Sequence, residues 1–337
     1  LQRRGGLLRP PDHCQLIPDD FLSRTPRNEA LMDASRFHGM IPPLATPMHP
    51  DGSLNLAAMP PLVEHVLRAG VHGIFAPGSQ GEAYALHADE RAAVLDAVLT
   101  AVNGRVPVIA GAGAIATRDA IAYARAAERA GADAVAIITP YYINPTQQEL
   151  YAHYADIAAA VSLPIFAYSN PGRTGGVRIE PETLARLAAD IPHFVGVKES
   201  SGDLTVTAAM IRACPPGFRV FTGRDTLIYA SLCHGAAGAV GLTMNVAPAW
   251  SVALYDAFRA GDHAGARAWQ ERVAALREGL GRFGSYPVGV KEALMIMGLP
   301  AGPARRPILP LSETQREALR AFLVECGVLQ QHEIAAD

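Results

Sequence analysis

From Gly39 onward the chain repeats one rhythm: a short apolar run, a polar turn, then a segment with apolar positions at helical spacing. The apolar runs predict strands at 40–46, 73–77, 106–112, 134–139, 164–168, 194–198, 219–222 and 239–243. The segments between them predict helices at 54–69, 88–102, 116–130, 147–161, 181–189, 204–213 and 227–234. Glycine punctuates the helix ends at Ala69-Gly70, Ala130-Gly131 and His234-Gly235, where it suits the left-handed residue that terminates a helix. The strands are almost continuously apolar, as expected when both faces of a sheet are covered.

Eight such strands alternating with helices predict an α/β fold, a (β/α)8 TIM barrel. A doubly wound open sheet competes with it. The dinucleotide signature of that fold is missing, since Gly111-Ala112-Gly113 lacks a third glycine at the required offset, and no Walker A pattern occurs. Beyond the eighth strand the pattern turns helical at 249–260, 263–278, 290–297 and 313–326. The expected organisation is an N-terminal extension over 1–36, a catalytic barrel over 37–262 and a C-terminal helical domain over 263–337. The extension is rich in Arg, Pro and Asp, has no sustained period and lacks the apolar stretch of a secretory signal. It reads as non-catalytic: a flexible tail, a strap across a neighbouring subunit, or the product of an over-long reading frame.

Composition narrows the partners. A net charge of −3 with scattered arginines gives no general reason to bind nucleic acid or anionic membrane. No apolar run reaches the roughly 20 residues that span a bilayer. Four cysteines without C-x-x-C pairing read as free thiols in a reducing, cytoplasmic setting.

The informative bias is in the basic residues. Of 29, only Lys198 and Lys291 are lysine. Arginine stays protonated, whereas a buried lysine can lose its proton and attack a carbonyl. Lys198 ends the sixth predicted strand, on the barrel face where catalytic groups gather. Lys291 opens a later helix candidate and reads as a structural or interface charge. His72, His193 and His234 lie near strand starts, on the opposite face. Other strand ends offer Gly78-Ser79-Gln80-Gly81-Glu82, Thr139-Pro140-Tyr141-Tyr142 and Tyr168-Ser169-Asn170-Pro171-Gly172-Arg173-Thr174-Gly175. An amine, several hydroxyls, a guanidinium and a glycine-rich turn suit Schiff-base chemistry on a 2-oxo acid. Backbone N–H groups at 78–81 would take the substrate carboxylate. This chemistry needs no cofactor and no metal. Glu82 and Glu199 read as supporting carboxylates near helix starts.

These four motifs, in this order, make residues 39–327 resemble the dihydrodipicolinate synthase and N-acetylneuraminate lyase family of class I aldolases. The resemblance implies that Lys198 forms an imine with pyruvate and that Tyr168 is the proton-transferring phenol. It implies that Ser79 links Tyr168 to Tyr142, which would cross a dimer interface, in a homodimer or homotetramer. Gly78, Ser79 and Gln80 would hold the pyruvate carboxylate, Val240 would contact pyruvate through its backbone, and Arg173 would bind the carboxylate of an aldehyde substrate. The chain departs from the synthase pattern at Ser79 and Gln80, where two threonines are usual. The lysine-feedback site also looks absent, with Ile115, Ala88 and Arg91 at its positions. The leading expectation is condensation of pyruvate with aspartate semialdehyde. The alternatives are a 2-keto-3-deoxy sugar-acid aldolase or dehydratase and, in another class, a non-catalytic barrel that binds 2-oxo acids.

Overall fold

A computed structural model describes residues 32–329. Its eight strands are β1 (Gly39–Met40), β2 (Ile74–Ala76), β3 (Val108–Gly111), β4 (Ala134–Ile138), β5 (Ile165–Ser169), β6 (Phe194–Glu199), β7 (Arg219–Thr222) and β8 (Gly238–Ala239). All pair in parallel, in the order β1-β8-β7-β6-β5-β4-β3-β2. The ring closes between the segment after β1 and β2. Phe75 N–H donates to Pro42 O (3.0 Å), and Leu44 N–H donates to Phe75 O (2.9 Å). This is the predicted TIM barrel, with the C-terminal helices attached to it.

The predicted strands overrun at the seam, for a physical reason. Pro42 and Pro43 have no N–H to give to a ladder, so β1 stops at Met40 although the apolar run continues. After β8 the apolar run 242–245 winds into a 3-10 helix instead. Gly238 lets β1 and β8 approach: a Cβ there would lie 1.9 Å from Gly39 O. Phe37, Phe166 and Phe221 pack edge-on in the barrel interior, with ring centroids 5.3 and 5.9 Å apart.

Seven helices cover the outside: α1 (Met59–Arg68), α2 (Ala88–Val102), α3 (Thr117–Ala130), α4 (Gln147–Ala158), α5 (Pro181–Asp190), α6 (Leu204–Ala213) and α7 (Ile228–Cys233). The apolar stripes of α1 to α6 bury against the strands in one continuous cluster, and Ile228 and Leu232 of α7 pack in another with Met40 and Ala239. Four more follow: α8 (Pro248–Arg259), α9 (His263–Leu280), α10 (Val288–Ile296) and α11 (Glu313–Glu325). Leu276, Leu280, Ala293, Leu319 and Leu323 join α9, α10 and α11 in a further core, while Leu254 and Tyr255 of α8 pack beside α7. Most of the expected N-terminal extension lies outside the described residues. Its last part runs under the barrel floor, where Met32 N–H donates to Pro192 O (2.7 Å) and Arg219 donates to Ser35 O (2.9 Å).

One expectation needs correction. Lys291 is the structural charge expected, but it does not open its helix; it is the fourth residue of α10 and only 1% exposed. Its Nζ donates to Glu82 Oε1 (2.8 Å), Thr46 O (2.9 Å) and Pro303 O (2.6 Å). Glu82 is fully buried and left-handed (φ 56°), and its Oε2 accepts from Arg305 N–H (2.8 Å). Glu82 therefore acts through a buried ion pair, not through a helix dipole. Arg305 extends the network to Glu90 through two 2.7 Å contacts. Burial lowers the Lys291 pKa, and the Glu82 carboxylate opposes that shift.

Removing one partner of such a pair strands the other charge in the interior. Lys291→Met is expected to cost about 3–5 kcal/mol, and Glu82→Gln a similar amount. The double replacement should cost clearly less than the sum of the two. Urea unfolding of the two singles and the double checks this; additive losses would contradict the coupling.

Candidate active site

β5 and β6 deliver the central pair. Their register sets Tyr168 beside Lys198, so both side chains leave the sheet on the same face near the strand ends. Lys198 Nζ lies 4.2 Å from the Tyr168 ring centroid and 4.8 Å from that of Phe75. Lys198 as a whole is 7% exposed. Burial pushes its pKa down, and the charge and hydrogen bonding of Tyr168 partly oppose this. For Tyr168 the balance is reversed. Burial alone would raise its pKa, but the Lys198 charge and hydrogen bonds with Ser79, Asn170 and Lys198 bring it below the usual phenol value. Asn170 Nδ2 donates to the phenol oxygen at 2.8 Å. An amine eased toward its neutral form, beside a phenol eased toward its anion, can form a carbinolamine and pass protons during its dehydration.

Two adjoining cavities open at this pair. The polar one, about 260 Å³, includes Lys198, Tyr168, Ser79, Arg173, Val240 and Tyr286 in its wall. The more apolar one, about 310 Å³, shares Ser79, Tyr168, Arg173 and Tyr286 and adds Gly78 and Tyr141. Six of the eight residues singled out in the sequence thus meet at one site: Gly78, Ser79, Tyr168, Arg173, Lys198 and Val240. Gln80 lines neither cavity. Its side chain is fully buried, and neither its Nε2 nor its Oε1 has a hydrogen-bond partner. Tyr142 also stands apart, 94% exposed on a left-handed backbone (φ 73°).

The structure adds residues that the sequence reading passed over. Tyr286 stacks on Arg173, with the guanidinium carbon 4.1 Å from its ring centroid. Burial pushes the Tyr286 pKa well above the usual phenol value. Arg224 and Arg277 complete the polar wall. Arg224 lies two residues past the end of β7, so the strand-end rule applied to the seventh strand would have found it. Arg277 lies in α9 and Tyr286 in the turn before α10, and no local pattern marked either. Arg91, at a position expected from the feedback site, is held within the fold. It donates to Ala83 O (2.6 Å) and Gly113 O (3.2 Å), with its guanidinium over the Tyr123 ring. Among the described residues no group of three His, Cys, Asp or Glu side chains could hold a metal ion, and no helix is long and apolar enough to cross a membrane.

A lysine that ends a TIM-barrel strand, buried against a tyrosine in a polar cavity, defines the site of a class I aldolase-type lyase. Comparison with known proteins makes this more specific. The model of the dihydrodipicolinate synthetase family matches residues 36–326, and the chain belongs to that family. It is 39% identical to a 4-hydroxy-tetrahydrodipicolinate synthase of Symbiobacterium thermophilum, over 87% of this chain and 99% of that protein. It is 41% identical to one of Methylococcus capsulatus, over 86% and 99%. Among solved structures, a pyruvate complex of the chloride-inhibited dihydrodipicolinate synthase of Acinetobacter baumannii superposes with a TM-score of 0.82 at 38% identity, over 87% and 99% of the two chains. A pyruvate complex of a prophage protein of the family from E. coli K12 gives 0.83 at 30%, over 87% and 99%.

Tyr168 raises the Lys198 pKa, so its removal has a definite sign. In Tyr168→Phe the amine should be neutral at lower pH than in the parent. Borohydride trapping with pyruvate, followed against pH by mass spectrometry, should show a midpoint shifted to lower pH. A shift to higher pH would contradict the assigned coupling. Turnover should fall on the order of 10²–10⁴-fold for loss of one proton-transfer group.

Proposed function

We propose that this lyase condenses pyruvate with aspartate semialdehyde through an imine on Lys198, the reaction of a 4-hydroxy-tetrahydrodipicolinate synthase. The observation that carries the reading is the buried Lys198 amine in register with Tyr168 at the strand ends. The names of the relatives support it.

In this reading the neutral Lys198 amine attacks the ketone carbon of pyruvate. The carbinolamine loses water, with Tyr168 supplying and recovering the proton, and leaves a protonated imine. Loss of a methyl proton gives an enamine, the imine nitrogen having accepted the electron pair. The enamine carbon then attacks the aldehyde carbon, whose oxygen takes up a proton to become the hydroxyl. The amine of the aspartate semialdehyde unit, once it has lost a proton, attacks the re-formed imine carbon. The ring closes as the C–N bond to Lys198 breaks and the lysine leaves as the free amine. Backbone N–H groups of the turn at Gly78, Ser79 and Gln80 hold the pyruvate carboxylate. The Gln80 side chain, buried away from both cavities, leaves its backbone N–H as its only group for the substrate. Val240 borders the pyruvate, and Arg173 takes the carboxylate of the aldehyde. Ser79 relays protons toward Tyr142 of a second copy of the chain. The exposure of Tyr142 together with Tyr84 and Ile143 supports pairing through this surface in a homodimer or homotetramer. The cytoplasm suits such an enzyme, whose cysteines Cys214, Cys233 and Cys326 are unpaired.

A second reading is cleavage or dehydration of a 2-keto-3-deoxy sugar acid. It uses the same imine and is favoured by the polar wall that Asn170 and Ser200 give the cavity, which suits a hydroxylated chain.

Pyruvate and borohydride should add a reduced pyruvyl group to the protein, mapped by peptide mass spectrometry to Lys198. Persistence of that label in Lys198→Ala would sink the mechanism. Arg173→Ala should raise the KM for aspartate semialdehyde at least tenfold while pyruvate trapping continues; equal loss of both would contradict its role. Free lysine should leave the rate unchanged, because Arg91 is committed to Ala83 O and Gly113 O where the feedback site would be. Saturable inhibition by lysine would overturn that reading.

A further inference from the structure

The polar cavity around Lys198 carries more positive charge than pyruvate and one carboxylate require. Its wall includes Lys198, Arg173, Arg224 and Arg277, and no acidic side chain. Each arginine is fixed by a different device. Arg173 is stacked on Tyr286. Arg224 donates from Nε to Ser200 O (3.0 Å) and from Nη2 to Ser201 O (3.2 Å). Gly202 leaves room for this, since a Cβ there would come within 3.1 Å of Arg224 Nε. Arg277 reaches from α9 with its Nε 3.5 Å from Asp225 Oδ2, and its side chain keeps 26% of its exposure. Asp225 in turn accepts from the N–H and Oγ1 of Thr243, at 2.9 and 2.6 Å. Among the described residues no carboxylate lies within 4 Å of the Arg173 or Arg224 guanidinium, and only Asp225 is that close to Arg277.

Like charges held together in a partly buried cavity repel one another, and the repulsion is relieved when an anion enters. A guanidinium oriented through its Nε and one Nη still presents its remaining N–H donors, in the planar geometry that fits carboxylate and phosphate. Backbone carbonyls hold Arg224 without neutralising it.

We propose that Arg224 and Arg277 form a second anion-binding subsite, which takes a carboxylate or phosphate on the substrate that reacts with the imine, separately from the group held by Arg173. The proposal rests on the reading of Lys198 as the imine-forming lysine, which places the reacting carbon in the same cavity. It goes beyond that reading by extending the substrates to aldehydes or sugar acids with two anionic groups, one for Arg173 and one for this subsite; aspartate semialdehyde, with one carboxylate, uses Arg173 alone.

The test uses the full-length protein, first converted with pyruvate and borohydride to the stable Lys198 adduct, which fills the pyruvate end and leaves the rest of the cavity free. Calorimetric titration with glycerol 3-phosphate, malonate and glycerol separates phosphate, carboxylate and uncharged probes. At least one anion should bind, and glycerol should not. Arg224→Gln and Arg277→Gln should each weaken that binding at least fivefold, whereas Arg224→Lys and Arg277→Lys should retain most of it. Thermal melting monitors folding, and the lysine variants decide the outcome if a glutamine variant unfolds. Absence of anion binding, or binding lost only in Arg173→Gln and unchanged in the four other variants, would overturn the subsite. Failure of the parent enzyme to form the adduct would instead overturn the imine reading; titration of untreated enzyme would then still decide the subsite.

Discussion

A single buried ion pair ties the two halves of this molecule to the floor of its active site. Lys291 comes from the helices after the barrel, and Glu82 from the turn that begins at Gly78 and Ser79. Neither charge can return to water without moving the other, because both are sealed inside. Thr46 O and Pro303 O take the remaining ammonium protons, so the pair also fixes the segment after β1 and the chain leading to α11. Arg305 then fastens the same carboxylate to Glu90 on α2. A buried pair of this kind is weak evidence for net stability, since desolvation offsets most of its attraction. Its value here is positional: the 78–82 turn has one allowed place, and Ser79 is carried with it to Tyr168.

The same physics, applied differently, sets the chemistry. Lys198 is as buried as Lys291 in effect, yet it has no carboxylate beside it. Its nearest neighbours are two aromatic faces and a phenol oxygen. Desolvation outweighs the opposing pull of Tyr168, and the balance eases the amine toward its neutral form. Burial lowers the pKa of both lysines; what differs is the partner, a carboxylate at Lys291 and a phenol at Lys198.

Much of this was legible in the chain. The helix over 88–102 is the observed α2, and that over 204–213 is the observed α6, because their apolar stripes and end signals agree with the packing. The barrel order followed from the alternation of elements, and Lys198 and Tyr168 followed from strand ends. Pro42 and Pro43 end β1 for want of an N–H, a local signal that the apolar run masks. The rest of what escaped depends on distant partners. Glu82 and Lys291 are 209 positions apart, so nothing local shows that they meet. Gln80 looked like a substrate ligand because its turn faces the site, but its side chain folds inward. Tyr286 and Arg277 reach the cavity from elements outside the barrel, beyond any rule that reads strand ends alone.

The two buried lysines have a consequence at the opposite scale, that of the molecular surface. The chain contains no other lysine, and these two are 7% and 1% exposed. Apart from the α-amino group, the native protein offers almost no primary amine to an acylating reagent. Each lysine is then a silent reporter: modification of Lys198 records access to the cavity, and modification of Lys291 records separation of the C-terminal helices from the barrel. The same chain thus carries two independent clocks of local opening, readable by mass alone and without any added label.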